Sequence, residues 1–211
     1  KNTKFILKIM DTPINTPTTF DFKVIPDQQT PKLAELPKHL EHVIKDWALQ
    51  NAEMLDAFLS FARFLPNTVG LASNQCSLNG TRITDRFFAF HNQEANCWEI
   101  MINPRIDKYL GHWTEKEEGC KTWYGKLMAV NRAAAVMVTY YDIHGDLCEK
   151  EIFKGFTAQI IQHETDHLNG VHQNMVQGPV KLNVKPKPQR NDACPCGSEK
   201  KFKNCCWNYT I

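Results

Sequence analysis

No apolar run in the 211-residue chain approaches the roughly 18 residues that a membrane-crossing helix needs. A span of that kind is therefore excluded by reading alone. An export signal is not evident either: Lys1-Asn2-Thr3-Lys4 is followed only by Phe5-Ile6-Leu7 before Lys8, too short for a signal-peptide core. No initiator methionine opens the chain, which leaves processing or trimming open. No segment repeats, so the chain is not a repeat array. An excess of one charge is also missing, with 25 basic against 23 acidic residues and a net charge of +2. What remains is the profile of a soluble globular protein, 42% hydrophobic and 23% charged, long enough for one domain with a real core and a small appendage. Eight cysteines without an export signal are expected to be reduced thiols, bound to metal or buried.

The small net charge hides an asymmetry. Residues 181–206 carry seven basic and two acidic residues, +5, while the rest carries 18 basic and 21 acidic, −3. A basic tail on a mildly acidic body points to an anionic partner, and a solvated linker is the plainer alternative.

The stretch around which the chain is organised is Gln162-His163-Glu164-Thr165-Asp166-His167-Leu168-Asn169-Gly170. In a helix, His163 and His167 stand one above the other and can grip one metal ion. Glu164, about 100° further round, can reach a metal-bound water. Phe156, Ile160, Ile161 and Leu168 supply apolar surface, so the helix reads as buried, and Gly170 falls where a helix is stopped. The plainer reading is a buried helix whose histidines hydrogen-bond to neighbours. Metal binding is preferred because two buried imidazoles and a carboxylate need strong partners.

Taken in order, residues 4–10 read as a short strand. A Pro- and Thr-rich extended loop (Pro13, Pro17, Pro26, Pro31) follows. Apolar residues near helical spacing from Leu40 to Phe64 predict one long surface helix, ended by Pro66. Val69 to Gln75 reads as a loop-to-strand transition whose small residues permit close backbone approach. Residues 87–90 and 98–102 predict paired strands, the second stopped by Asn103-Pro104. Ala133 to Tyr141 and Glu149 to Phe153 predict a hairpin about the turn Asp142–Asp146, with the histidine helix starting near Gly155 or Phe156. Cys120 alone is no more than a small buried hydrophobe.

Three stretches together, Gly70-Leu71-Ala72-x-x-Gln75, Glu118-Gly119-Cys120 and His163-Glu164-x-Asp166-His167, resemble peptide deformylase over roughly residues 4–172. That family removes the formyl group from the N-terminal methionine of nascent chains. The resemblance implies an α+β fold with antiparallel sheets packed around a central metal-binding helix. It implies Cys120, His163 and His167 as metal ligands, and Glu164 as the base that takes a proton from the attacking water and passes it to the leaving amine. It further implies Gln75 and the backbone N–H of Lys121 as oxyanion donors, Gly70 as a hydrogen-bond partner of the substrate backbone, and Val69 and Ile160 as borders of the methionine pocket. Asp166 is expected to pair with Arg132. The family usually uses iron(II); zinc, nickel or cobalt also suit two imidazoles and a thiolate, and sequence cannot choose. The chain departs from the family pattern at Thr68 (where a glycine is usual), at Lys121-Thr122-Trp123-Tyr124 after the cysteine, and at Gln159, where an apolar residue is usual. These leave the chemistry intact and bear on substrate preference and rate.

The tail Cys194-Pro195-Cys196…Cys205-Cys206 resembles the SEC-C motif, a small zinc-binding module. Four thiolates can close a tetrahedral structural zinc, and so short a segment needs the metal to fold. A disulfide pair is the alternative. Cys76, Cys97 and Cys148 are left as structural. The expected organisation is a catalytic domain at 1–176, a Lys/Pro-rich linker at 177–190 and a zinc module at 191–211. The expected partners are nascent formyl-Met chains and, through the basic tail, the ribosome; a cytoplasmic monomer with no membrane association is expected. Two rivals remain at this point. One is a zincin-type endopeptidase, which would need neither Cys120 nor Gln75. The other is a deformylase-like adaptor acting through its tail.

Overall fold

In a computed structural model the described residues are 20–25, 30–122, 127–171, 190–191 and 200–204. The elements are β1 (Phe22–Val24), α1 (Glu41–Gln50), α2 (Ala52–Phe64), β2 (Gly70–Ala72), β3 (Cys76–Leu78), β4 (Thr81–Arg82), β5 (Phe87–Asn92), β6 (Cys97–Gly119), β7 (Leu127–Tyr141), β8 (Leu147–Lys154) and α3 (Gly155–Leu168). They form two antiparallel sheets, one of order β1-β3-β4 and one of order β2-β5-β6-β7-β8. The expected α+β architecture around the histidine helix is present.

Strand periodicity explains why α3 is central. Successive side chains of a strand point to opposite faces, so a strand covered on both sides carries apolar residues without alternation. In β5, Phe87 and Ala89 join Ile44, Leu55, Phe58 and Ala62 of α1 and α2, with Leu71, Ile100 and Ile102 from neighbouring strands. Phe88 and Phe90 face the other way, toward Ala158, Ile160, Ile161 and Leu168 of α3, with Met101, Val136 and Val138. The larger sheet thus lies between the α1–α2 pair and α3.

Three expectations need correction. The single helix predicted for 40–64 is two helices, broken at Asn51, whose backbone leaves the helical region (φ −109°, ψ 14°). Its side-chain Nδ2 donates to the Trp47 carbonyl at 2.8 Å, beside its own backbone N–H at 3.0 Å, a local competition that asparagine favours. The strand expected to stop at Asn103-Pro104 instead runs on to Gly119. The register shifts between Ile102 and Arg105, so the proline sits in a bulge, and Asn103 turns to positive φ (49°). The Asn103 side chain accepts from Leu36 N–H (3.0 Å) and donates to Leu36 O (2.9 Å), holding an extended neighbour in place. Third, Phe156 is 48% exposed rather than buried. The 133–141 and 149–153 strands form the expected hairpin, somewhat longer, and α3 begins at Gly155. Cys76 is buried in the α1–α2 core, and Cys97 and Cys148 are half-buried and in no disulfide. The strand expected at 4–10 lies outside the described residues. No described helix is long and apolar enough to cross a membrane.

The β7–β8 turn presses on α1. Gly145 has φ +76°, and a Cβ there would lie 2.6 Å from Lys45 Cα and 3.1 Å from Ala48 Cβ. Gly145→Ala therefore combines left-handed strain with a backbone clash. It should cost roughly 1–3 kcal/mol of stability, read as a lower denaturation midpoint at unchanged slope.

Candidate metal centre

The site is assembled from one helix, the end of one long strand and the turn after an edge strand. His163 and His167 are one turn apart on α3, their ring centroids 4.8 Å apart and their Nε2 atoms 3.1 Å apart. Cys120, immediately past the end of β6, brings Sγ to 3.2 Å from His167 Nε2. The ligand atoms of Cys120, His163 and His167 all lie within 4.8 Å of one another, the one such group among the described residues. A thiol and two imidazole nitrogens gathered this closely are electron-rich atoms facing each other, an arrangement a shared cation stabilises.

Glu118 fixes the upper histidine. Its carboxylate accepts two hydrogen bonds from Arg132, Nε and Nη2 each at 2.8 Å, and one from His163 Nδ1 at 2.9 Å. With Nδ1–H so engaged, the Nε2 lone pair of His163 is directed at the cluster. Burial alone would raise the Glu118 acid, but the hydrogen bonds from Arg132 and His163 and the Arg132 charge outweigh it and hold the group at about 2. Arg132 Nη1 also donates to Asp166, so the expected Asp166–Arg132 pair is present. The bidentate half of this network, to Glu118, was not legible in the sequence: the motif marks Glu118 but gives it no partner.

Gln75 is buried in the turn after β2. Its Oε1 accepts the Ala72 N–H at 2.8 Å, which turns Nε2 toward Thr122 Oγ1 (2.9 Å), His167 Nε2 (3.2 Å) and Cys120 Sγ (3.6 Å). Glu164 lies against β2. A Cβ on Gly70 would fall 2.5 Å from Glu164 Oε1 and 2.8 Å from Ile160 Cγ2, so only glycine fits. The other carboxylate oxygen, Oε2, is buried without a hydrogen-bond partner among the described residues. Burial pushes the Glu164 acid up to about 7. A buried, unpartnered carboxylate oxygen beside a ligand cluster fits a metal site, where a water or substrate supplies the missing proton.

The cluster opens on a cavity of about 400 Å³ lined by Val69, Gly70, Gln75, Cys120, Lys121, Ile160 and Glu164, among others. Two of the departures from the family pattern meet at its mouth: the Lys121 ammonium donates to the Pro66 carbonyl, and Thr68 Oγ1 donates to the same oxygen at 3.4 Å. Residues the sequence did not single out hold α3 in place. Gln162 pairs with both Ala133 N–H (2.9 Å) and Ala133 O (3.0 Å), behaving like a strand neighbour of β7. Asn74, Thr30 and Arg86 donate to the terminal carbonyls of His167 and Leu168, satisfying groups a helix end leaves open. Trp123, Tyr124 and the tail cysteines Cys194, Cys196, Cys205 and Cys206 lie outside the described residues.

A family model described as polypeptide deformylase matches residues 27–176. The chain belongs to the polypeptide deformylase family. A second model, the SEC-C motif, matches residues 190–208. The chain is 34% identical over 137 residues to a peptide deformylase of Synechocystis, covering 62% of this chain and 72% of that protein. It is 33% identical over 123 residues to one of Rhodopirellula baltica, spanning about half of that longer protein (55%). Among solved structures it is similar to a Met-Ala-Ser-bound class I type b peptide deformylase of Acinetobacter baumannii, with a TM-score of 0.54 and 27% identity over 72% of this chain and 96% of that one. The deformylase activity is that of a metallohydrolase, and the Cys120, His163, His167 group is the donor set typical of the family.

Glu118→Gln keeps the shape but loses the charge that faces Arg132 and His163. Metal retention should weaken by roughly 10–100-fold, measured as faster loss to a competing chelator, while Asp166 still engages Arg132.

Proposed function

We propose that the chain removes the formyl group from N-terminal formylmethionine of nascent polypeptides through the residues gathered around Glu164. The observation that carries this reading is the buried, unpartnered Glu164 Oε2 set beside three convergent ligand atoms and the Gln75 amide. Cys120, His163 and His167 would hold one divalent metal, iron(II) natively, with zinc, nickel or cobalt as competent substitutes. When bound, such an ion makes a water acidic enough to attack near neutral pH and polarises the formyl carbonyl.

Glu164 takes the proton of the attacking water as the water oxygen adds to the formyl carbon. It then gives that proton to the methionine nitrogen as the C–N bond breaks and formate departs. Its raised pKa suits a group that must both accept and return a proton near neutrality. Gln75 Nε2, oriented by the bond from Ala72 N–H to Oε1, and the backbone N–H of Lys121 donate to the developing oxyanion. The substrate backbone lies along β2. The bond from His91 N–H to Val69 O makes Gly70 and Phe90 a non-hydrogen-bonded pair, so the Gly70 N–H and C=O turn away from β5 toward the sheet's open edge. Val69 and Ile160 border the methionine side chain. The relative bound to Met-Ala-Ser supports a peptide of this kind as ligand.

Glu164→Gln removes the proton carrier and leaves the three ligands. Formate release from a formyl-Met-peptide should fall roughly 10²–10⁴-fold with the metal content unchanged. Activity near wild type would remove Glu164 from the mechanism.

The organisation proposed is a catalytic domain at 1–176, a linker at 177–190 and a module at 191–211 in which Cys194, Cys196, Cys205 and Cys206 hold a structural zinc. The SEC-C match at 190–208 supports the last part. Within it, Lys203 N–H donates to Arg190 O at 3.0 Å, drawing two ends of the basic segment together. A +5 segment is attracted to RNA phosphate, and the module is proposed to dock the enzyme on the ribosome where its substrate emerges. Full-length protein should pellet with ribosomes at low salt, and truncation after Gln177 should abolish pelleting while sparing hydrolysis of a free peptide. Equal pelleting of both forms sinks the docking.

A further inference from the structure

Three glutamines stand on or beside the site, and two are fully committed. Gln75 and Gln162 spend both ends of their amides on fixed partners. Gln159 does not: its side chain makes no hydrogen bond with any described residue. It lies four residues before His163 on α3, hence on the same helix face, and lines the cavity with Val69, Leu127, Phe156 and Ile160. Those four are apolar, and Val69, Leu127 and Phe156 are 40%, 71% and 48% exposed, as expected of a wall that awaits a ligand. One half-buried amide therefore stands among these apolar side chains beside the reacting centre, in a cavity whose other lining includes Asn67, Thr68, Glu117 and Lys121.

An amide covered by a ligand without a partner loses its water and gains nothing. The thioether of methionine is a weak acceptor, so seating it against Gln159 leaves the two N–H groups unanswered. A side chain of the same length ending in a strong acceptor answers them. Methionine sulfoxide carries such an acceptor: its S=O oxygen projects from the sulfur, which keeps its place in the chain. We infer that Gln159 is a specificity residue that extends the enzyme's substrates to peptides beginning with formyl-methionine sulfoxide, its Nε2 donating to the sulfoxide oxygen. This rests on the deformylase reading of the cavity and adds a substrate class to it. The gain lies in binding the side chain, remote from the bond that breaks, so it belongs in KM rather than kcat.

The test uses the full-length, metal-loaded protein and three peptides: formyl-Met-Ala-Ser, the same peptide with methionine sulfoxide, and the same peptide with norleucine, which keeps the length and has no acceptor. Formate release gives kcat/KM for wild type, Gln159→Met and Gln159→Leu. The ratio of sulfoxide to methionine should fall about fivefold or more in both variants, the size of one neutral hydrogen bond, with the change in KM. The ratio of norleucine to methionine should stay within about twofold, because neither has a strong acceptor. Because each ratio is taken within one protein, partial misfolding of a variant cancels. A sulfoxide-to-methionine ratio that is unchanged in the variants overturns the inference while leaving the deformylase reading standing. Equal shifts for sulfoxide and norleucine overturn it too, since they report pocket width alone. No formate from any peptide with wild type overturns both.

Discussion

Glu118 is a carboxylate taken out of water between a guanidinium and an imidazole, and the metal centre depends on it. Burying that charge is expensive, and the bidentate bond from Arg132 with the third bond from His163 offsets the cost. The geometry comes from the β6–β7 ladder. Thr114 pairs with Arg132, and Glu118 lies four residues further along β6, an even offset that puts both side chains on one face. That face carries α3, so the same ladder presents Arg132 to Asp166. One ion-pair network thus sets the distance between the strand that ends in Cys120 and the helix that carries both histidines.

The same packing explains how a buried carboxylate can be reactive. Glu164 is pressed against β2 where the chain has no side chain, at Gly70, and its second oxygen is left open toward the cavity. Desolvation raises its pKa toward neutrality, where taking up and returning a proton are nearly balanced. Gln75, held by a backbone N–H three residues earlier, brings a neutral donor to the same point. The proposed acid–base group and the proposed oxyanion donor therefore sit on separate elements, α3 and the β2 turn, both fixed to the larger sheet.

The cavity walls differ in kind from its floor. Beneath it, hydrogen bonds join Glu118 to Arg132 and His163, and Gln75 to Thr122. The walls carry exposed apolar side chains and three positions that depart from the family pattern. Thr68 and Lys121 converge on Pro66 O and tie two segments at the mouth. Gln159 makes no such bond.

Much of the site was legible because its spacing is local. Two histidines four apart need only a helix to coincide, and the helix is signalled by Ile160, Ile161, Leu168 and Gly170. The β7–β8 hairpin was legible for the same reason, through alternation and a turn. The break at Asn51 was not, because a side-chain bond to Trp47 O competes with helix continuation and apolar spacing does not record it. Nor was the passage of β6 through Asn103-Pro104, which depends on a bulge and on Leu36, 67 residues away. The sequence by itself determined which residues meet at the site: the helical pair, the thiol after Glu118-Gly119, and the amide at Gln75. Only the tertiary structure decided that Glu118 orients His163, and that among the described residues Glu164 keeps one oxygen unpartnered and Gln159 lines the cavity without a hydrogen bond. Those facts depend on partners far apart in the chain, brought together by sheet register and burial, and no local pattern encodes them.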